Sequence, residues 1–183
     1  MLSFAHKRFG QVPEPGELDE ADRALLDRVA GAFDIVGDLI ASCKFKAALG
    51  EAMAVAHEAN RYLDTKAPWF QIREDRKAAA TTVYVILHVI DSLKVLLTPF
   101  LPFTCQALHG YLGYEGSICG RIYTNTLEEE TRSHLAIRYD GSELQGTWAP
   151  SRLPAGQALR DPAPLFRKLD ESVVEEETAR LEG

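Results

Sequence analysis

Apolar residues recur at helical spacing along much of the chain, which predicts several amphipathic helices. Pro13, Pro15 and Gly16 break the chain first, and Asp19 then stands where an N-cap belongs, so a helix is predicted over about 20–42. Its apolar positions are Ala21, Leu25, Val29, Ala32, Val36 and Ile40. The next stretch repeats the pattern at Phe45, Leu49, Ala52, Met53, Ala56, Ala59 and Leu63. Its many alanines would let a neighbouring helix approach closely.

A third helix, predicted over about 75–97, is apolar on most sides around 83–87. It should therefore lie centrally in a bundle, with Asp91 and Lys94 marking its wetter face. Pro99 and Pro102 end it and allow a short fourth helix over about 103–112.

The stretch between Ile118 and Trp148 is rich in strand-forming residues, and this predicts a small hairpin. A final acidic, exposed helix is predicted over 171–181. The fold class is then all-α in one domain. A helical bundle would cover about 1–112 and 165–183, and an appendage carrying the hairpin would cover about 113–164.

Size and composition fit one intracellular globular domain. The chain has 183 residues, of which 46% are hydrophobic, enough for a substantial core. No apolar run approaches the roughly 20 residues of a membrane span, and no signal peptide is visible. We therefore expect a cytoplasmic protein without membrane contact.

The three cysteines favour neither a disulfide framework nor a structural zinc site. They form no CxxC pair, and their number is odd. Cys105 and His109 lie one helical turn apart, but two ligands do not make a metal site, so a partly buried helix face is the better interpretation. No metal ligand is predicted.

Charge and motifs exclude several functions. A formal net charge of -7 argues against nonspecific binding along a nucleic-acid backbone, so any RNA contact must be local. The sequence has no glycine-rich phosphate loop, no GxSxG elbow and no HExxH helix. The acidic run 128–130 is typical of a solvated loop. No catalytic residue is predicted.

The segment 59–69 is the most informative, because it ends a patterned helix with an indole directly after a proline. Proline fixes its own backbone and pushes the preceding residue away from helix, so Pro68 should point Trp69 in a defined direction. An exposed aromatic ring held in this way is a platform for an unpaired base. The alternative is a core tryptophan, since tryptophans are mostly buried.

This segment reads Asn60-Arg61-Tyr62-x-Asp64-x-x-Ala67-Pro68-Trp69 and resembles the anticodon-binding domain of methionyl-tRNA synthetase. Three further stretches resemble landmarks of that family in the same order. They are the end of its first helix at 4–16, its Pro-Phe-Leu-Pro hinge at 96–104 and its closing segment at 162–170. The resemblance covers nearly the whole chain.

The resemblance implies a helical bundle of the class Ia synthetase type that binds the anticodon loop of methionine tRNA. In the family the tryptophan at position 69 stacks on the anticodon, with Pro68 as its support. His6, Lys7, Asn60 and Arg61 lie in the matching segments and are candidate RNA contacts. For Asn60 and Arg61, packing and helix capping are alternative roles. The family's Asn and Arg that contact the first anticodon base would precede Met1, so we expect reduced base discrimination.

The family's ATP signatures, His-Ile-Gly-His and Lys-Met-Ser-Lys-Ser, are absent from this sequence. ATP, and zinc where the family uses it, would belong to a catalytic domain acting in cis or in trans, so we expect no cofactor here. Either the sequence is part of a longer synthetase or it is a separately encoded relic. Two other functions stay open: a helical protein-interaction module, and the anticodon domain of another class I synthetase.

Overall fold

Helices dominate the computed structural model, which describes residues 1–166, 170 and 172–181. In chain order the elements are α1 (Leu2–Phe9), α2 (Glu20–Ala41), α3 (Phe45–Lys66), α4 (Pro68–Glu74), α5 (Arg76–Leu97), α6 (Pro102–Tyr111), β1 (Arg121–Glu128), β2 (Ser133–Asp140) and α7 (Ser172–Leu181). The predicted mostly helical fold with a small hairpin is confirmed. Residues 167–169 of the predicted closing segment, residue 171 of the predicted final helix, and residues 182 and 183 lie outside the described residues.

Helices α2, α3 and α5 enclose the larger of the two hydrophobic cores. Helix α2 begins with a capping box, in which Asp19 accepts from the Asp22 amide and Asp22 accepts from the Asp19 amide. Helix α3 turns small residues towards its neighbours: Ala48, Ala52 and Val55 are fully buried. The larger Phe45, Leu49 and Met53 of the predicted apolar pattern are instead exposed by 55%, 36% and 42%. Alanines on the inner face allow close helix packing and leave these bulky side chains at the rim.

Helix α5 is central, as predicted, and packs against α2, α3, α4 and α6. By length and a mean hydropathy of 1.6 it is apolar enough to cross a membrane, contrary to the expectation from the sequence. The bundle accounts for this composition, because neighbouring elements bury 72% of the most apolar stretch of α5. A core helix of a soluble protein has the same property.

The prediction that Asp91 and Lys94 mark a wetter face of α5 is wrong, since they are only 4% and 3% exposed. Lys94 Nζ lies 2.6 Å from Asp91 Oδ1 and 3.1 Å from His109 Nδ1 on α6. The other carboxylate oxygen of Asp91 accepts from the Tyr114 hydroxyl at 3.0 Å and the Ser151 hydroxyl at 2.6 Å. Partners from distant segments satisfy both charges, which makes their burial possible.

A second, smaller core lies between α1, α5 and the end of α6. Leu153 and Leu159 belong to it, although they lie within the range 113–164 that the sequence assigned to an appendage. The Val12 amide donates to Gln157 O at 2.9 Å and the Leu159 amide to Gly10 O at 3.0 Å, which ties this segment to the end of α1. Residues 150–160 therefore pack on the bundle.

The predicted hairpin is present. Strands β1 and β2 pair antiparallel, from Arg121 opposite Asp140 to Glu128 opposite Ser133. Most of their side chains are exposed on both faces. After the hairpin, the Trp148 indole donates to Phe33 O at 3.1 Å and packs edge-on against the Phe33 ring, which fixes the returning chain on α2.

Candidate nucleic-acid interface

The corner that carries Trp69 consists of two helices joined by one residue. Helix α3 ends at Lys66, and Ala67 adopts a left-handed conformation with φ 43°. Its amide donates to Leu63 O at 2.8 Å and caps the helix. Pro68 then opens α4 at its first position, where a missing amide hydrogen costs nothing. The sequence predicted the end of a helix near Trp69, whereas the structure places Trp69 inside a new short helix.

Trp69 lies on the surface of this corner. Its side chain is 39% exposed, and the next residue, Phe70, is 65% exposed. The two rings meet edge-to-face with centroids 6.3 Å apart. Pro68 itself is buried, and among the described residues neither core cluster includes Trp69. The corner therefore holds two aromatic rings near solvent on a rigid base.

Two sets of polar contacts hold the corner on the bundle. On the α5 side, the Thr82 hydroxyl donates to Gln71 Oε1 at 3.0 Å and fastens α4. On the α2 side, the Tyr62 hydroxyl donates to Asp22 Oδ1 at 2.8 Å, and Lys66 Nζ lies 2.8 Å from the same oxygen. Burial and the neighbouring Asp22 raise the pKa of Tyr62, so this phenol stays a hydrogen-bond donor at neutral pH.

Asn60 and Arg61 are both exposed on α3, before the corner. Neither belongs to a described core cluster, and the cap of α3 is Ala67. The structure therefore places neither residue in a hydrophobic core or at the cap of α3, and their role in RNA binding stays a prediction. Arg61 lines a groove of about 340 Å³ between α2 and α3, together with Ala21 and Thr65.

His6 and Lys7 lie on α1, and they differ in surroundings. His6 is half-buried, with Nδ1 3.6 Å from Asp161 Oδ1, so it faces the C-terminal segment. Lys7 is exposed. The end of α1 touches the start of α5, because Arg76 Nη2 donates to Arg8 O at 2.9 Å. This contact brings α1 to the same end of the bundle as α4.

A cleft at this end contains residues that the sequence analysis missed. It has a volume of about 770 Å³ and lies between the α1–α2 loop and the first turn of α5. The Arg76 guanidinium lies 4.9 Å from the centroid of the Phe9 ring and, with Lys77, lines the cleft. Arg8 and Arg76 are 68 residues apart, so no local signal in the sequence could have paired these segments.

The charges around the cleft are mixed. Among the residues that line the cleft, Arg76 and Lys77 are basic and Glu14 is acidic. Arg8 on α1 and Arg73 on α4 are also exposed. Asp75 is occupied as the cap of α5, accepting from the amides of Lys77 and Ala78 at 2.9 and 3.0 Å. The arrangement suits a few local phosphate contacts beside an aromatic surface and does not suit a long basic track.

The structure contains no candidate metal site among the residues that it describes. No group of three or more His, Cys, Asp or Glu side chains there could hold an ion. Cys105 and His109 are 2% and 5% exposed on α6, so this helix face is buried more completely than the partly buried face expected from the sequence. Burial raises the pKa of the Cys105 thiol, so the thiol stays protonated and unreactive.

Comparison with known proteins gives consistent matches. Residues 12–183 match a family model described as the anticodon binding domain of methionyl tRNA ligase. The methionine–tRNA ligase of Thermomicrobium roseum is 55% identical over 99% of this chain and 31% of its own length. That of Chloroflexus aurantiacus is 49% identical over 100% of this chain and 30% of its own length. The chain thus spans about a third of the length of these relatives.

Among solved structures, the free form of Mycobacterium tuberculosis methionyl-tRNA synthetase matches with a TM-score of 0.71. The match covers 92% of this chain and 30% of that protein, at 24% sequence identity. At this identity the likeness concerns the fold.

Proposed function

Because the chain belongs to the family of anticodon-binding domains of methionyl-tRNA ligase, we propose that it binds the anticodon loop of a methionine tRNA by stacking a base on Trp69. The observation that carries this proposal is the exposed Trp69 ring on a corner fixed by Ala67 and Pro68. Single-stranded loops are recognised by stacking unpaired bases on aromatic rings. A rigid platform loses little conformational freedom on binding, which favours affinity.

The electrostatics support a small contact area. The chain as a whole is acidic, with a net charge of -7, so phosphate attraction must come from a local group. Arg8, Arg76 and Lys77 supply such a group beside α4, whereas the hairpin carries the acidic residues 128–130. We propose that the loop approaches from the α4 side. Lys7 on α1 and Asn60 and Arg61 on α3 are exposed and remain further candidate contacts.

The test of this function is direct binding of a methionine-tRNA anticodon stem-loop, with a scrambled-loop hairpin of the same length as control. Saturable binding that prefers the methionine anticodon supports the proposal. Equal binding of both hairpins, or none, would instead favour a helical protein-interaction module.

We expect the purified chain to support neither aminoacylation nor methionine-dependent ATP–pyrophosphate exchange, because its sequence contains no ATP-handling signature. We propose that it supplies tRNA recognition to a cytoplasmic catalytic domain, in cis or in trans. Exchange is measured with radiolabelled pyrophosphate in a preparation free of host synthetase, with a full-length methionine–tRNA ligase as positive control. Exchange above the no-protein level would contradict this expectation.

Replacing Arg76 with glutamine should weaken stem-loop binding about three- to tenfold and lower the slope of log K against log salt by about one, as expected for the loss of one phosphate contact. The matched control is Arg132→Gln, an exposed arginine in the turn of the hairpin. Titrations at several salt concentrations measure both quantities. If the two variants bind alike, the cleft beside Phe9 is not part of the interface.

A further inference from the structure

We infer that Tyr62, Asp22 and Lys66 are positioning residues, which set the direction of Trp69 without touching RNA themselves. The importance of this for binding rests on the function proposed above. The orientation of Trp69 in the free protein does not depend on that function, so it can be measured separately.

The three side chains form one cross-link between α3 and α2, buried at Asp22 and Tyr62 and half-buried at Lys66. Asp22 is 2% exposed and Tyr62 is 8% exposed. Asp22 Oδ1 accepts a hydrogen bond from the Tyr62 hydroxyl at 2.8 Å, and Lys66 Nζ lies 2.8 Å from the same oxygen. Lys66 also pairs with Asp19, the N-cap of α2. Burial alone would lower the pKa of Lys66, but the two aspartates outweigh burial and raise it, so Lys66 is charged at neutral pH.

The place of this cross-link in the chain makes it relevant to Trp69. Lys66 is the last residue of α3, directly before the left-handed Ala67. Any rotation of the last turn of α3 is passed through Ala67 and Pro68 to the start of α4. The hydrogen bond from Thr82 to Gln71 anchors α4 only from the α5 side. The cross-link fixes the other side, so the corner is held between α2 and α5.

A second cross-link joins the same two helices elsewhere and provides the comparison. Arg28 on α2 pairs with Glu51 at 2.7 Å and Glu58 at 3.0 Å on α3. Both glutamates lie at least two helical turns before Lys66. A role limited to fastening α2 to α3 would give both cross-links the same consequences. A positioning role gives the Tyr62 cross-link an additional effect on Trp69.

The experiment uses the full 183-residue chain with Trp148→Phe, which leaves Trp69 as its only tryptophan. Tyr62→Phe and Lys66→Met are compared with Arg28→Gln, and Lys66→Arg tests rescue by a side chain that keeps the charge. Fluorescence anisotropy and acrylamide quenching of free Trp69 are measured first, and unfolding and stem-loop affinity follow. All values are taken where each variant is fully folded.

We expect Tyr62→Phe and Lys66→Met to lower the fluorescence anisotropy of Trp69 and to raise its quenching by acrylamide. Arg28→Gln and Lys66→Arg should keep both values close to those of the parent, which is the chain with Trp148→Phe alone. Stem-loop affinity should fall about three- to tenfold in the first two variants, because a stacking ring binds less tightly when the residues that hold its orientation are removed. Unchanged anisotropy and quenching in both would overturn the inference. Altered fluorescence with no stem-loop binding even by the parent would keep the inference and reject the proposed function.

Discussion

Stem-loop binding is expected to weaken by about 1–3 kcal/mol when Trp69 is replaced by alanine, the usual scale for one stacked base. The side chain is 39% exposed and lies outside the described core clusters, so removal of the ring should leave folding nearly unchanged. Isothermal titration with the methionine-tRNA stem-loop and chemical denaturation of the same preparation measure the two effects together.

Phe103→Ala is the matched control for this prediction. Phe103 is an exposed aromatic residue, 84% accessible, near the start of α6 and remote from the corner. Its removal should change neither RNA affinity nor stability appreciably. A core tryptophan would behave differently, costing about 3–5 kcal/mol of stability on truncation. If Trp69→Ala shows that loss while RNA affinity per folded molecule is unchanged, Trp69 is a structural residue.

Replacing Asp91 with alanine is expected to lower the free energy of unfolding by about 3–5 kcal/mol, because it leaves a buried ammonium without its counter-ion. Burial already lowers the pKa of Lys94, and the Asp91 charge opposes that shift. The same substitution also removes the acceptor for the Tyr114 and Ser151 hydroxyls. Urea denaturation at neutral pH measures the loss.

A surface ion pair with the same spacing provides the control. Glu177 and Arg180 on α7 are three residues apart, as Asp91 and Lys94 are, with a distance of 3.0 Å. Both side chains are more than half exposed, so Glu177→Gln should change the unfolding free energy by less than about 1 kcal/mol. A similar small effect for Asp91→Ala would mean that water reaches Lys94 once the carboxylate is gone.

Much of the fold could be predicted because local signals agree with the packing. Asp19 was identified as an N-cap from its type and position, and the structure adds the reciprocal contact with Asp22. The apolar composition of 83–87 correctly placed α5 at the centre. The strand-forming residues between Ile118 and Trp148 correctly indicated the hairpin.

The errors occur where distant residues decide the outcome. Asp91 and Lys94 were assigned to a wet face because charged residues normally are exposed, whereas their partners His109, Tyr114 and Ser151 lie 15 to 60 residues away in the chain. Helix α4 was missed because a proline usually marks the end of a helix. Here Pro68 also begins the next one, and that depends on the left-handed conformation of Ala67.

For the candidate site, the sequence supplied Trp69 and its supporting proline, while residue statistics alone favoured burial. The structure shows the exposed ring, and the role in RNA binding stays a prediction. The groups around it come from helices that meet only after folding. Arg76 reaches Phe9 through the packing of α1 on α5, and Tyr62 reaches Asp22 through that of α3 on α2.

The length of α5 sets the distance between the two ends of the bundle. Its 22 residues extend about 33 Å at about 1.5 Å per residue. The Trp69 corner lies against its first turns, while the base of the hairpin lines one cavity with Val95 and with Thr98 and Pro99, which directly follow the far end of α5. A donor dye at the base of the hairpin would therefore lie about the length of α5 from the Trp69 corner, where an acceptor dye on a bound RNA loop is expected. Energy transfer between them could report the approach of the loop in real time, without a label near the bases.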